Sequence, residues 1–545
     1  MGQPVLSFLQ DLRLLCPHLE SLSIDRSSFW RDKEEEDGGE EEELAVDHPE
    51  VFLSAGSFLS QFGTGSTLRS LTLDSDEVIV NCLPVLSYVS QLSSLCLNGL
   101  GEFRLEDLSS IHAYCPQLKL LSVGKKVTLS APSDELGQAL VESKYVCSTM
   151  KALELNYSHP WAEPVIWLNY FAKAYPNLAR LHLRETRTNT LHRLNMTSFY
   201  VTDWDVHEAI RRLRLACPLL KTVEMIGVFW CHRILKPLFL DSEEGSTTAI
   251  RQLALNYNTY FTKDLYEGLS SYPWHALRSL TIYSCDENKP LSLPQIFSPL
   301  NALHLEELTL GGEGTDPDIR VPVYLDEVLH HCQHLKVLRV DNSRLLAAKA
   351  GKEPHPRLQS LTLYNVVFTD WLFDCIAKQC QNLRYLSLIE CLDKKEMESQ
   401  AFDIYLPYSQ LEAVNLHQLV MHKQRLHAFP VYHNPSLFEI SQDTHDQWVQ
   451  VDTTGLLTKH SFPNRHIPPQ SLMHYQPGGF HLLNEETTRI LKGLRAKTIK
   501  RLLTRIKADT KYWEEKLEQG YVSITCKSIN KLYINGRRIS LPCRP

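Results

Sequence analysis

One aliphatic pattern recurs along most of this chain and constrains its fold more than any other feature. The pattern is an aliphatic residue, two variable residues, a second aliphatic residue, one variable residue and a third aliphatic residue. It occurs about fourteen times, at residues 19–24, 68–73, 92–97, 118–123, 150–155, 178–183, 220–225, 250–255, 277–282, 305–310, 335–340, 358–363, 383–388 and 411–416. Most intervals fall near 23 to 32 residues, which predicts a stacked repeat architecture.

Each repeat is predicted to contain a short strand and a helix. The last two aliphatic residues of the pattern are two positions apart, so they face the same side of a strand. Between the strands the spacing becomes helical, as in residues 105–114, where apolar positions recur at i, i+3 and i+6. Cys-Pro pairs that begin at Cys16, Cys115 and Cys217 are expected to close the helix before the next strand. The predicted fold is an α/β leucine-rich-repeat solenoid, right-handed and horseshoe-like, with about fourteen repeats.

The chain divides into three predicted segments. Residues 1–420 form the solenoid, and the acidic run at 33–45 is expected to be a disordered loop, because like charges repel one another. Residues 421–483 are rich in His, Pro, Gln and Asn, which predicts an irregular covering segment or a linker. Residues 484–545 predict a basic amphipathic helix and a β-hairpin tail with its turn at Asn535-Gly536.

Composition excludes several classes of protein. The 545 residues are 43% hydrophobic and 22% charged, as in an ordinary globular protein, and the net charge of -8 argues against general attraction to nucleic acid. No apolar run approaches the ~20 residues of a membrane span, and no secretion signal is recognisable. The 14 cysteines are spread along the chain and predict buried thiols in a reducing compartment, so we expect a cytoplasmic or nuclear protein, or one found in both.

Motifs that carry chemistry are absent from the sequence. It contains no nucleotide-binding G-x-x-x-x-G-K-[ST], no H-E-x-x-H and no G-x-S-x-G, so we expect neither an enzyme nor a cofactor. Histidines recur every five or six residues from His417 to His433, a spacing that fits no metal site and favours solvated loop side chains. Cys375 and Cys380 are predicted to be buried thiols and not a metal or redox pair.

A resemblance to a known family rests on the stretch from Phe368 to Cys391. It reads FTDWLFDCIAKQCQNLRYLSLIEC and fits the pattern I-T-D-x-x-L, a helix, then C-x-x-L-x-x-L-x-L-x-x-C nearly throughout. This stretch resembles the cysteine-containing leucine-rich repeats of F-box proteins. The resemblance implies a repeat solenoid that binds a target protein for a ubiquitin ligase, while an F-box docks the ligase adaptor. The helix of the first repeat begins almost at Met1, so we expect no F-box in this chain.

The predicted binding surface is the concave face of the solenoid, which carries the variable strand positions. Arg and Tyr are favoured as anchors there because they bury a large area and still donate hydrogen bonds. The candidate partner-binding residues are Arg180, His182, Arg184, Tyr283, Arg339, Asp341, Tyr364 and Tyr385. Simple solvent exposure is the alternative for each of them.

These patterns predict a protein-interaction module, and two interpretations of that role stay open. The resemblance implies substrate recognition for a ubiquitin ligase, but a ubiquitin-independent scaffold or regulatory protein fits the same residues. The tail helix carries nine basic residues between Arg489 and Lys511, a pattern also found in helices that contact nucleic acid or membranes. The favoured interpretation is an amphipathic helix that caps the solenoid with its charges solvated.

Overall fold

Parallel strands form a sheet in each of the two units into which the chain divides. The computed structural model describes residues 16, 18–25, 67–130, 146–158, 163–185, 203–226, 238, 250–257, 276–284, 304–312, 320–347, 354–368, 371–393, 401–423, 431–443, 445–451, 480–495 and 508–541. Unit 1 comprises residues 1–256 and 263–276, and unit 2 comprises residues 257–262 and 277–545. The acidic run at 33–45, predicted as a disordered loop, lies outside the described residues.

Unit 1 alternates strands with helices. Its strands are β1 (Ser21–Asp25), β2 (Ser70–Val78), β3 (Ser94–Phe103), β4 (Leu120–Leu129), β5 (Ala152–Tyr157), β6 (Arg180–Glu185), β7 (Thr222–Ile226) and β8 (Gln252–Tyr257). Its helices are a 3-10 helix (Ile79–Val89), α1 (Leu105–Tyr114), α2 (Pro164–Ala174) and α3 (Asp203–Ala216). The strands lie in sequence order, and each pairs in parallel with the next.

Unit 2 contains three sheets. Its strands are β9 (Ser279–Ser284), β10 (Glu307–Gly312), β11 (Val321–Tyr324), β12 (Val337–Asp341), β13 (Ser343–Leu346), β14 (Ser360–Tyr364), β15 (Val367–Phe368), β16 (Tyr385–Ile389), β17 (Leu392–Asp393), β18 (Ala401–Leu411), β19 (Ala413–His417), β20 (Val420–Lys423), β21 (Val431–His433), β22 (Leu437–Gln442), β23 (His445–Val451), β24 (Phe480–Leu482), β25 (Tyr521–Ile529), β26 (Leu532–Ile534) and β27 (Arg537–Ile539). Its helices are α4 (Leu325–His331), α5 (Leu372–Gln379), α6 (Glu485–Arg495) and α7 (Ala508–Glu518).

The repeat sheet of unit 2 is parallel and in register. Its order is β9-β10-β12-β14-β16-β19-β26-β27, and only the last pair is antiparallel in the described part of this sheet. A second sheet has the order β11-β13-β15-β17-β20-β21, and a third has the order β18-β25-β22-β23-β24. In the repeat sheet, one buried column contains Leu280, Leu308, Leu338, Leu361, Leu386, Val414 and Leu532.

The buried columns confirm the α/β repeats and the parallel sheet predicted from the aliphatic pattern, and they are consistent with a solenoid. The equivalent column in unit 1 contains Leu71, Leu95, Leu121, Leu153, Leu181, Val223 and Leu253, all of them buried. Each strand covers the apolar residues of its neighbours, so stacking and not an isolated repeat provides the core. The number of repeats and the horseshoe curvature stay predictions.

Cysteines close several of the helices, as the Cys-Pro pairs indicate. The N–H of Cys115 follows α1 and donates to the carbonyl oxygen of Ile111 at 2.7 Å. The thiol of Cys217 follows α3 and donates to the carbonyl oxygen of Tyr175 in the preceding repeat at 3.2 Å. Burial raises the pKa of the Cys115 thiol to about 12. All cysteines within the described ranges are free thiols, and Cys16, unlike Cys115 and Cys217, is exposed.

Several strands of the repeat sheet in unit 2 are followed by a residue in the left-handed backbone conformation. Asn342, Asn365 and Asn535 have φ values of 45°, 50° and 49° at this position. Asparagine tolerates this conformation better than most side chains do. The side chain of Asn342 also donates to the carbonyl oxygen of Gly312 at 3.2 Å, and that of Asn365 donates to Oδ1 of Asn342 at 2.8 Å. These amides tie the turns of successive repeats together.

Strands of the second and third sheets correct the prediction for the described part of residues 421–483. The sequence predicted an irregular covering segment or a linker there, but β21 to β24 and most of β20 lie in this range. Residues 424–430, 444 and 452–479 lie outside the described residues. The sequence pattern missed β22 because residues Leu437 to Ile440 are buried on both faces of this strand, so they lack the alternation that marks a half-buried strand. Strand β18 also belongs to the third sheet, although it lies inside the predicted solenoid segment 1–420.

The predicted tail at 484–545 is likewise part of the folded unit 2. The hairpin at Asn535-Gly536 is present, because β26 and β27 pair on either side of that turn. However, β26 also pairs with β19 and extends the repeat sheet, while β25 lies between β18 and β22. Residues 496–507, which fall within the predicted basic amphipathic helix, lie outside the described residues. Within the described part of residues 484–545, strands β25 to β27 therefore complete two sheets of unit 2.

The core of the third sheet generates a stability prediction. Trp448 is fully buried and packs with Leu437, Leu491, Leu517 and Tyr521. We expect Trp448→Ala to lower the free energy of unfolding by about 3–5 kcal/mol, because it removes buried apolar surface and leaves a cavity. Denaturant unfolding measures this loss.

A second substitution controls for the removal of an aromatic ring as such. Tyr408, on β18, is 65% exposed, so Tyr408→Ala should change the free energy of unfolding by no more than about 0.5 kcal/mol. Equal losses for the two variants would contradict the assignment of Trp448 to a folded core.

A buried histidine in unit 1 generates a pH prediction. Nε2 of His112 lies 2.7 Å from Oη of Tyr175, and burial lowers the pKa of His112 to about 4. In the unfolded chain the imidazole titrates near pH 6.5, so the unfolded state takes up a proton first as the pH falls. We expect unit 1 to lose about 3 kcal/mol of stability as the pH falls from 6.5 to 4.

Thermal unfolding across this pH range tests the assignment. His112→Gln retains a hydrogen-bonding group for Tyr175 but has no titrating side chain, so its stability should vary less with pH. If the stability of His112→Gln falls with pH as steeply as that of the wild type, other groups cause the acid sensitivity.

Candidate functional site

The candidate binding residues lie on the side of the strands opposite the leucine column, here called the outer strand face. The candidates on β12 and β14 alternate with the buried aliphatic residues along each strand. Arg339 is exposed and Tyr364 is half-buried, whereas Asp341 is buried. The neighbouring strands bring equivalent positions side by side. A polar row of this kind therefore contains one residue from each of several repeats.

In unit 2, three of the candidates form one hydrogen-bonded group. Nε of Arg339 donates to both carboxylate oxygens of Asp341, at 2.8 and 2.9 Å. Oη of Tyr283 lies 3.3 Å from Oδ2 of the same carboxylate. Tyr364 occupies the paired position on β14, beside Asp341. The carboxylate is thus covered by side chains from β9, β12 and β14, and Asp341 is only 3% exposed.

A glycine makes this arrangement possible. Gly311, on β10, is paired with Tyr283 on one side and with Asp341 on the other. A Cβ atom at Gly311 would lie 2.9 Å from two ring carbons of Tyr283 and 3.0 Å from the carbonyl oxygen of Asp341. The missing side chain lets the tyrosine ring lie across β10 and reach the carboxylate two strands away.

The electrostatics leave Arg339 available to a partner. Burial raises the pKa of the Asp341 carboxyl, and the hydrogen bonds from Arg339 and Tyr283 oppose that rise. The hydrogen bond to Asp341 raises the pKa of Arg339, so its guanidinium stays charged. Its side chain is 49% exposed, and within the described residues only its Nε makes a hydrogen bond. Both terminal amino groups of the guanidinium can therefore donate to a ligand.

Tyr385 adds an aromatic side chain two strands further along the sheet. It begins β16, is 44% exposed, and its hydroxyl hydrogen-bonds Glu412. Glu412 also accepts from Arg384 at 3.2 Å. The phenol is thereby held in place while its ring stays open to solvent.

The remaining candidates lie in unit 1 and form a second polar row. His182, on β6, is paired with Glu154 on β5 and with Glu224 on β7, and its Nδ1 lies 3.9 Å from a carboxylate oxygen of each. Nε of Arg184 donates to Glu224 at 2.8 Å. Arg180 is exposed, and its side chain makes no hydrogen bond or ion pair with the described residues. The row is therefore largely neutralised within unit 1, except at Arg180.

Sequence reasoning missed several residues of these rows, namely Glu154, Glu224, Gly311 and Glu412. Each carries or permits a contact made by a candidate from a neighbouring repeat. Glu154, His182 and Glu224 all occupy the variable position between the second and third aliphatic residues of a repeat. Comparing that position from repeat to repeat would have found both glutamates. The role of all eight candidates in binding stays a prediction.

Other kinds of site are not supported by the described part of the chain. It contains no group of three or more His, Cys, Asp or Glu side chains placed to hold a metal ion. Cys375 and Cys380 are both buried free thiols, and burial raises the pKa of Cys375 to about 11. No helix in the described part of the chain has both the length and the apolar character needed to cross a membrane. The geometry instead offers an arginine and tyrosines on a regular surface.

No curated protein matches this chain. Among solved structures, a chain of the Toll–Spatzle complex of Drosophila is similar at 12% identity and a TM-score of 0.30. That match covers 68% of this chain and 49% of the other, so this chain spans about half the length of its match.

A family model gives the more specific match. Residues 293–426 match the model described as FBD-associated F-box protein At5g56370, LRR repeats. The matched range contains Arg339, Asp341, Tyr364 and Tyr385, as well as the stretch from Phe368 to Cys391 on which the resemblance rests. Residues 293–426 are therefore leucine-rich repeats similar to those of an F-box-associated family, which supports a role in protein interaction.

Proposed function

We propose that this chain recognises a target protein for an F-box-type ubiquitin ligase, through the outer strand face of unit 2. The proposal rests on the hydrogen bonding of Arg339, whose side chain donates to Asp341 through Nε only. Its terminal amino groups are open, and it stands on the same sheet as Tyr283, Tyr364 and Tyr385. Arginine and tyrosine are the residue types that most often anchor protein interfaces.

The link to a ubiquitin ligase is supported by the match of residues 293–426 to the repeats of an F-box protein. In this proposal the repeats bind the target protein, and an F-box would bind the ligase adaptor. We further propose that the chain binds without catalysing a reaction and works in the cytoplasm, the nucleus or both. The free, buried thiols are consistent with a reducing compartment.

A double substitution tests the binding surface. Arg339→Ala with Tyr385→Ala removes two half-exposed side chains from the outer strand face, and we expect target affinity to fall at least ~10-fold. Target proteins captured by the full chain from its own cells are identified by mass spectrometry, and their affinity is then measured by calorimetry. Thermal unfolding shows whether the variant is folded.

The matched control removes the same two residue types elsewhere in unit 2. Tyr324→Ala with Arg344→Ala changes exposed side chains on β11 and β13, which belong to the second sheet. This control should retain the target. Equal retention by both variants would place the binding site off the outer strand face.

The ligase role has its own readout. Depletion of the chain from cells should lengthen the half-life of a target that binds the outer strand face, and cullin-ligase adaptors should co-purify with the full chain. A target that binds this face but keeps its half-life, with no adaptor recovered, would instead establish a ubiquitin-independent scaffold.

A further inference from the structure

A stripe of basic side chains lies along the amino-terminal edge of the sheet in unit 1. We call this stripe the basic edge, and its members are Arg69, Lys119, Lys151, Arg180, Lys221 and Arg251. They occupy the position two residues before the second aliphatic residue of each repeat, except that Arg180 is one residue closer. Ser93 takes this position between Arg69 and Lys119, and the exposed Glu20 takes it before β1.

Backbone hydrogen bonds place these positions next to one another. The N–H of Lys151 donates to the carbonyl oxygen of Lys119 at 2.8 Å, and that of Arg180 donates to Lys151 at 3.0 Å. The N–H of Arg251 donates to Lys221 at 2.8 Å. Adjacent strands are about 4.8 Å apart, so residues some thirty positions apart in the sequence become neighbouring charges.

None of the residues that the structure describes acts as a counterion to the basic edge. All six side chains are exposed. Within the residues that the structure describes, Lys119, Lys151, Arg180, Lys221 and Arg251 make no ion pair or side-chain hydrogen bond, and Arg69 bonds only to Gln91. Like charges at this spacing repel one another and attract an anionic ligand.

The equivalent position in unit 2 shows that the fold itself does not require this charge. There the residues are Arg278, Glu306, Lys336, Gln359, Arg384 and Glu412, and two pairs of opposite charge form across strands. Nζ of Lys336 lies 2.7 Å from a carboxylate oxygen of Glu306, and a terminal guanidinium nitrogen of Arg384 lies 3.2 Å from one of Glu412. The same backbone geometry therefore carries a neutralised row in unit 2 and an open cationic row in unit 1.

Other exposed residues of unit 1 indicate which kind of polyanion the basic edge binds. In the sequence, the aliphatic residues Val146 and Leu219 precede Lys151 and Lys221 by five and two positions, and they are 52% and 43% exposed. Single-stranded nucleic acid is normally held by several aromatic platforms on which successive bases stack, whereas exposed Tyr88 is the one large aromatic side chain of that kind among the described residues of unit 1. The net charge of -8 also opposes a long polynucleotide.

We infer that the basic edge docks an acidic, aliphatic-containing segment of a partner protein. The carboxylates would pair with the lysines and arginines along successive repeats, and apolar side chains would contact Val146 and Leu219. This surface lies in unit 1 and is distinct from the outer strand face of unit 2, so its function does not rest on the function proposed above.

Fluorescence anisotropy of the full chain tests this inference. The probe is a short fluorescein-labelled peptide of Glu and Asp with leucines interspersed. Wild-type protein should bind it saturably, and binding should weaken at least ~10-fold between about 0.05 and about 0.3 M salt, because salt screens exposed charges. The quadruple variant K119E/K151E/K221E/R251E should bind at least ~10-fold more weakly than wild type at low salt.

A second quadruple variant makes the same number of charge reversals at exposed positions away from the basic edge. R344E/K378E/K527E/K531E should bind the peptide within about two-fold of wild type, because its substitutions leave the stripe intact. The milder K119Q/K151Q/K221Q/R251Q replaces the first variant if thermal unfolding shows that charge reversal prevents folding, and it should also lose binding.

Three results would overturn the inference. They are the absence of saturable peptide binding by wild type, equal losses in the two quadruple variants, and tighter binding of single-stranded polyuridine RNA than of the peptide at the same salt concentration. The last result would assign the basic edge to nucleic acid.

Discussion

Paired hydrogen bonds at the entry to each strand hold successive repeats in register. The carbonyl oxygen of Lys119 accepts the N–H groups of Lys151 and Ala152, at 2.8 and 3.0 Å. In unit 2 the carbonyl oxygen of Lys336 accepts two N–H groups in the same way, from Gln359 and Ser360 at 2.9 and 3.0 Å. Because this contact fixes the offset between strands, the leucine columns and the polar rows follow from it.

The sequence predicted the fold well in the segments that contain the aliphatic repeat and poorly in those that do not. The aliphatic pattern repeats many times, so errors in one repeat do not obscure it. It located the strands of both repeat sheets except β26 and β27, which lie beyond its last occurrence. The third sheet offers no repeat. In β22, residues Leu437 to Ile440 are buried on both faces, and β25 inserts between strands that are distant in sequence. Neither property can be recognised from local spacing.

The candidate site was predictable by residue type but not by pairing. Arginine and tyrosine at variable strand positions pointed to the outer strand face, and Arg339 and Tyr385 do lie there half-exposed. The partners that shape the surface come from other repeats. Gly311 matters because it has no side chain between Tyr283 and Asp341, an effect that appears only once the strands are in register. To find such partners in a repeat protein, equivalent positions must be compared from one repeat to the next.

The pairing of β26 with β19 has a consequence for how the chain acquires its structure. Val414 pairs with Leu532, so the last edge of the repeat sheet is closed by residues made more than a hundred positions later. During synthesis the backbone groups on that edge of β19 lack their strand partner until the final part of the chain emerges. An unpaired strand edge is a template for pairing with other chains. The carboxyl-terminal hairpin thus acts as a late-arriving protective strand, and the period of greatest risk of aggregation is the interval before it is made.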